Sequence, residues 1–106
     1  NQAAAAILVC GDRDRAFPPA PDFWVIDAAI AAQNMTLAAN DLGIGSVWLG
    51  TWPDEKRVKR QAAIFQLPET IVPHSILALG YPAEDIDMRA VRPSRYEENR
   101  VHVNQW

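Results

Sequence analysis

The segment from Phe23 to Leu42 constrains the fold of this chain more than any other part of it. Helix formers dominate it, Asp22 precedes it as a candidate N-cap, and Gly43 follows as a residue able to take the left-handed conformation that stops a helix. On a helical wheel Val25, Ala28, Ala31, Ala32, Met35, Ala38, Ala39 and Leu42 cover one side, while Ile26, Ile30 and Leu37 interrupt the other. A helix that is apolar nearly all round is buried on several sides. Its alanines admit the close approach of another helix, so the segment predicts a central helix with more apolar circumference than a small domain covers by itself.

Shorter elements surround it. The apolar run from Ala4 to Val9, closed by Cys10-Gly11-Asp12, predicts a buried strand, and Asp12 to Asp22, with three prolines and alternating charges, predicts a surface loop. Ser46 to Leu49 predicts a second strand. Pro53-Asp54-Glu55 opens a second helix, with Pro in its first turn and acids suited to the helix dipole. On that helix Val58, Ala62 and Phe65 share a face and leave Lys56, Arg57, Lys59 and Arg60 toward solvent. Ile71 to Leu79 predicts a third strand, with Pro73 placing a bend or edge near its start. Beyond Pro82 the chain turns polar, with Arg89, Arg92, Arg95 and Arg100 ahead of the β-prone Val101-His102-Val103. A chain of this length has room for one domain, spanning residues 1–106.

Composition narrows the functional classes. A chain of 106 residues buries roughly two-thirds of its unfolded surface. With 49% hydrophobic and 22% charged residues, it has apolar surface to place beyond a private core, against a partner subunit or a further segment. A net charge of -3 repels polyphosphate backbones, which argues against nucleic acid as a partner. Asp27, Gln33, Asn34, Asn40 and Asp41 break the longest apolar region, which is too polar for a span of about twenty apolar residues, so no membrane is expected either. The single cysteine, Cys10, forms no internal disulfide, which fits a reducing cytoplasm, and no neighbouring basic group or helix N-terminus is evident to make it a thiolate. His74 has neither a second histidine nor a thiol close by, so it reads as structural and no metal site is expected. Asp27, Glu69 and Asp85 lack a carboxylate partner at a diagnostic spacing, and no nucleophile with its base is legible.

The candidate binding feature is Leu42-Gly43-Ile44-Gly45-Ser46-Val47-Trp48-Leu49-Gly50, where the long helix passes into a short strand with glycines at both ends. A glycine ending a strand lets a flat ligand lie close to the backbone. With it go Val9-Cys10-Gly11-Asp12-Arg13-Asp14-Arg15-Ala16-Phe17 and Ala20-Pro21-Asp22-Phe23-Trp24-Val25-Ile26-Asp27 upstream. Downstream are Leu79-Gly80-Tyr81-Pro82-Ala83-Glu84, Arg95-Tyr96 and Val101-His102-Val103-Asn104-Gln105-Trp106. In this order and at these spacings, from about Ala4 to Trp106, the chain resembles the nitroreductase family.

That resemblance implies a fold, a cofactor and an assembly. The fold is α+β, a central sheet flanked by helices in an intertwined homodimer, whose interface contains the long helix and whose tail crosses the partner. The cofactor is FMN, reduced by NAD(P)H and reoxidised by a nitroaromatic, quinone or similar acceptor in a ping-pong sequence that needs no protein nucleophile. Family chains normally begin with a segment bearing Arg-Arg-Ser-x-Arg-like and Asn-x-Gln-Pro-Trp-like motifs. Neither motif occurs here and the chain begins at Asn1, so the expectation is the C-terminal part of a longer protein, of low activity by itself. Trp48, Leu49, Gly50 and Thr51 are the expected contacts to the flavin ring, and Arg95, with Arg92 as the weaker candidate, the expected phosphate ligands. The alternative is a non-catalytic dimerisation module that binds flavin weakly or not at all, with a small α/β ligand-binding domain a further possibility.

Overall fold

The computed structural model describes residues 3–84, 86, 87, 90 and 93–106. Three strands form one antiparallel sheet: β1 (Ala5–Asp12), β2 (Gly45–Gly50) and β3 (Ile71–Gly80), in the order β1-β3-β2. Helix α1 (Trp24–Asp41) links β1 to β2, and α2 (Glu55–Ile64) links β2 to β3. Asp85, Arg89 and Arg92 lie outside the described residues.

The central strand is the one that contains a proline. Pro73 is fully buried, and the register steps from Val9↔Ser75 to Cys10↔Pro73, so His74 is an extra residue bulged out of the ladder. Proline is tolerated at that level because β2 has already ended, its last pair being Gly50↔Ser75. The expected edge position is therefore local: β3 is flanked on both sides only from Ser75 onward.

Helix α1 lies on one face of the sheet. Trp24, Ala28 and Ala32 pack against Val9, Val72 and Leu77, with Val25, Trp52 and Val58 closing the cluster. Trp24 and Trp52 meet edge to face with centroids 5.1 Å apart. Asp22 does not cap this helix. It lies inside a 3₁₀ turn (Pro21–Phe23) that runs straight into α1, so helical dihedrals begin before its side chain could close the end. The other end is as expected: Gly43 has φ +72, the Gly43 and Ile44 N–H groups donate to Asn40 and Ala39 carbonyls, and the freed acceptors are satisfied. For α2 the cap is Asp54, whose Oδ1 accepts from the Lys56 and Arg57 amides at 3.0 and 3.2 Å. Pro53 stands outside the helix, not in its first turn.

Much apolar surface is left open. Ile26, Ile30 and Leu37 on the outer side of α1 are each more than half exposed, and the sheet face away from α1 shows Val47 and Leu49. The accessible surface is 8971 Å², about half again the roughly 5,900 Å² expected of a compact monomer of this mass. The radius of gyration is 17.1 Å, against about 13 Å for a closed domain of this length. The expected final strand at Val101-His102-Val103 does not form: residues 101–106 are exposed after a 3₁₀ turn (Glu98–Arg100). A strand needs an edge to pair with, and the described residues of one chain bring none to this tail. No helix among the described residues is long and apolar enough to cross a membrane.

Candidate functional site: the end of the second strand

Paired residues in adjacent strands share a face, so Ile7, Leu77 and Trp48 lie on the α1 side and Leu8, Ile76 and Leu49 on the other. Trp48 and Leu49 therefore cannot stack on the same side of one ring. Trp48 stands edge-on to His74 with centroids 6.0 Å apart, and His74 also meets Trp24 at 6.1 Å. Burial pushes the His74 pKa below its ordinary value, and Nδ1 lies 3.1 Å from the Ser75 hydroxyl, so the ring is a neutral packing group at pH 7. Burial likewise pushes the Cys10 thiol up, away from thiolate chemistry. Among the described residues no group of three or more His, Cys, Asp or Glu could hold a metal ion.

Gly50 is different from its neighbours. Its backbone is not in the left-handed region and a Cβ built on it meets nothing within 4 Å, so the chain's own packing does not require glycine there. The Thr51 N–H donates across the sheet to the His74 carbonyl at 3.1 Å. By the alternation of the ladder, the Gly50 N–H and C=O point the opposite way, to the open edge of β2. The carbonyl accepts from Arg57 Nη1 at 3.0 Å. An exposed strand end with an outward amide and no side chain is a surface on which a planar ligand with an acceptor edge can lie.

Thr51 has another role. It is almost wholly buried, its N–H is spent on His74, its carbonyl accepts from the Asp54 amide, and its hydroxyl donates to Gln61 Oε1 at 2.9 Å. Its polar groups pin the turn and leave none directed at a ligand. Arg57 faces solvent as expected but also makes a contact the sequence did not reveal. Its side chain is mostly solvent-facing, like those of Lys56, Lys59 and Arg60, yet its guanidinium bridges Asp54 Oδ2 (3.2 Å) and the Gly50 carbonyl. The signal for this was the three-residue spacing from the N-cap aspartate to the arginine, which puts both on one side of the first turn. Beside it Arg57, Arg60, Gln61, Ile64, Phe65 and Ile76 line an open groove of ≈ 340 Å³.

Arg95 is exposed in the segment after β3, and among the described residues no hydrogen bond or ion pair involves its side chain; Arg92 lies outside them.

The nitroreductase family model matches residues 1–81 of this sequence. The chain belongs to the nitroreductase family. A Methanothermobacter thermautotrophicus protein provisionally named an NADH dehydrogenase/NAD(P)H nitroreductase is 41% identical over 106 residues, which cover 100% of this chain and 52% of that protein. The FMN reductase (NADPH) of Bacillus subtilis is 35% identical over 82 residues, 76% of this chain and 32% of the relative. Among solved structures, an FMN-dependent nitroreductase of Clostridium difficile superposes with a TM-score of 0.79 at 28% identity, covering 98% of this chain and 59% of that one. The nitroreductase fold read from the sequence is thus the fold of this family member, and the chain spans about half the length of the first of these relatives.

Proposed function

We propose that this nitroreductase-family chain is part of an FMN-dependent oxidoreductase that passes electrons from NADH or NADPH to nitroaromatics, quinones or similar acceptors as a homodimer in the cytoplasm. The observation that carries this reading is Gly50: a strand end with an outward amide and open space where a Cβ would be. The names of the relatives point the same way, one an FMN reductase and one an FMN-dependent nitroreductase. Bound at this edge, the flavin would supply the hydride and electron chemistry. The protein's share is a backbone donor at Gly50, apolar contact from Trp48 or Leu49, and a guanidinium at Arg95 or Arg92 for the phosphate.

The excess surface favours assembly. Ile26, Ile30 and Leu37 are unpartnered on α1, and a second copy would cover them while giving the tail an edge to pair with. A second reading, a dimerisation module with weak flavin affinity, is favoured by the exposed Arg95 side chain, which no hydrogen bond or ion pair among the described residues holds in place.

Flavin titration and steady-state kinetics separate the two. The enzyme reading expects saturable FMN binding and parallel double-reciprocal lines when NAD(P)H is varied at several quinone concentrations. Converging lines would remove the ping-pong assignment, and a colourless, inactive dimer would establish the module.

A further inference from the structure

We infer that His74 is a positioning residue that holds the Trp48 indole beside Gly50 as the side chain the flavin ring meets. The inference rests on the flavin reading above and decides between Trp48 and Leu49 within it.

Alternation along β2 makes that choice. The pairs Trp48↔Leu77 and Gly50↔Ser75 put both β2 residues on the α1 face, so the open space where a Gly50 Cβ would stand is on the Trp48 side and Leu49 points away from it. A planar ligand entering that space lies two strand rises, roughly 7 Å, from the root of the indole on the same face. Trp48 is 37% exposed, too open for burial to fix its ring. His74 supplies the restraint: its imidazole meets the indole edge-on with centroids 6.0 Å apart, and meets Trp24 of the core at 6.1 Å.

His74 is itself held from several directions. It is the extra residue of the bulge in β3, and a bulge re-aims a side chain at the cost of a ladder pair. Its carbonyl accepts the Thr51 and Trp52 amides at 3.1 and 3.0 Å, and its Nδ1 lies 3.1 Å from the buried Ser75 hydroxyl. One residue therefore anchors the turn after Gly50 through its backbone and the indole before Gly50 through its ring. With a methyl group in place of the imidazole, the indole would border a cavity and gain other χ1 positions. Phenylalanine would keep a ring against Trp48 and lose only the contact with Ser75.

The test is a double-mutant cycle read by FMN affinity, in the intact protein that carries this chain. Trp48→Ala is expected to weaken FMN binding about two- to tenfold, the worth of one aromatic contact, and His74→Ala to weaken it by a smaller factor. Combined, the two should weaken it no more than Trp48→Ala alone, because His74 has nothing to position once the indole is gone. His74→Phe should restore most of the wild-type affinity. Emission from the bound flavin is an independent measure, since an indole in contact with the excited ring lends it an electron, takes the electron back and so quenches it. Trp48→Phe should brighten bound FMN several-fold, and His74→Gln, which removes the ring but little volume, should brighten it partly even if His74→Ala proves unstable. Additive losses in the cycle overturn the inference, because a histidine that only stabilises the fold acts whether or not Trp48 is present. Wild-type emission in Trp48→Phe overturns it as well. A wild type that binds no FMN brings down the flavin reading itself, and this inference with it.

Discussion

The indole of Trp24 occupies the space where a side chain at Gly11 would stand: a Cβ built there overlaps Cε3 of the ring. That contact closes the core between β1 and the first turn of α1, and it explains a buried glycine inside a strand. Gly11→Ala should destabilise the fold by about 1–3 kcal/mol, the cost of overpacking a filled core. Urea denaturation of the two proteins side by side measures it.

Gly50→Ala should behave in the opposite way. Its Cβ meets nothing, so folding stability should stay within about 0.5 kcal/mol of wild type, while FMN affinity falls because the methyl group stands where the ring would approach. Equal FMN affinity in this variant would separate the strand end from the cofactor.

The open apolar stripe on α1 predicts assembly in solution. Sedimentation should give a dimer, and Ile30→Glu combined with Leu37→Glu should yield monomers, because a large interface that buries upward of about 2,000 Å² does not tolerate two unpaired charges. A compact, stable wild-type monomer at micromolar concentration would contradict the homodimer.

For Arg95, substitution by alanine in the intact protein should weaken FMN binding by about 1.5–3 kcal/mol, the range for a hydrogen bond to a charged group. Riboflavin, without a phosphate, should lose much less. Equal losses for both flavins would mean that Arg95 acts on the site indirectly.

The buried His74 predicts a pH dependence of stability. Burial holds its folded-state pKa below the ordinary histidine value of 6.5, so the unfolded chain takes up the proton first. The contribution of the neutral ring is complete above about pH 6.5 and is lost as pH falls from there toward the lower folded value. His74→Gln should flatten the unfolding free energy between about pH 7.5 and 5.5, a window read by denaturant titration at several pH values.

The elements that were legible in the sequence are those whose signal is local. Gly43 ended α1 through its own backbone conformation, Asp54 and Glu55 marked the start of α2, and continuous apolar runs marked all three strands. Asp22 misled because a capping residue and a residue inside a 3₁₀ turn look alike until the dihedrals are known. Pro73 pointed to an edge, and only the pairing register shows that a central strand accepts it one step beyond the end of β2. Val101-His102-Val103 has the composition of a strand, but pairing is a property of two segments, and the described residues of one chain bring it no edge.

The candidate site divides in the same way. Periodicity and glycine placement in the sequence determined that a helix should run into a short strand ending at Gly50, and the resemblance supplied the cofactor. Which atoms face outward was decided by the tertiary structure. Trp48 and Leu49 part to opposite faces because side chains alternate along a strand, and Thr51 turns inward because three partners from β3 and α2 converge on it. Arg57, one of four cations on α2, donates to the Gly50 carbonyl because helical geometry sets it over the cap that precedes it. Local chemistry is written in the order of residues, whereas the aim of a backbone amide depends on groups brought together only by folding.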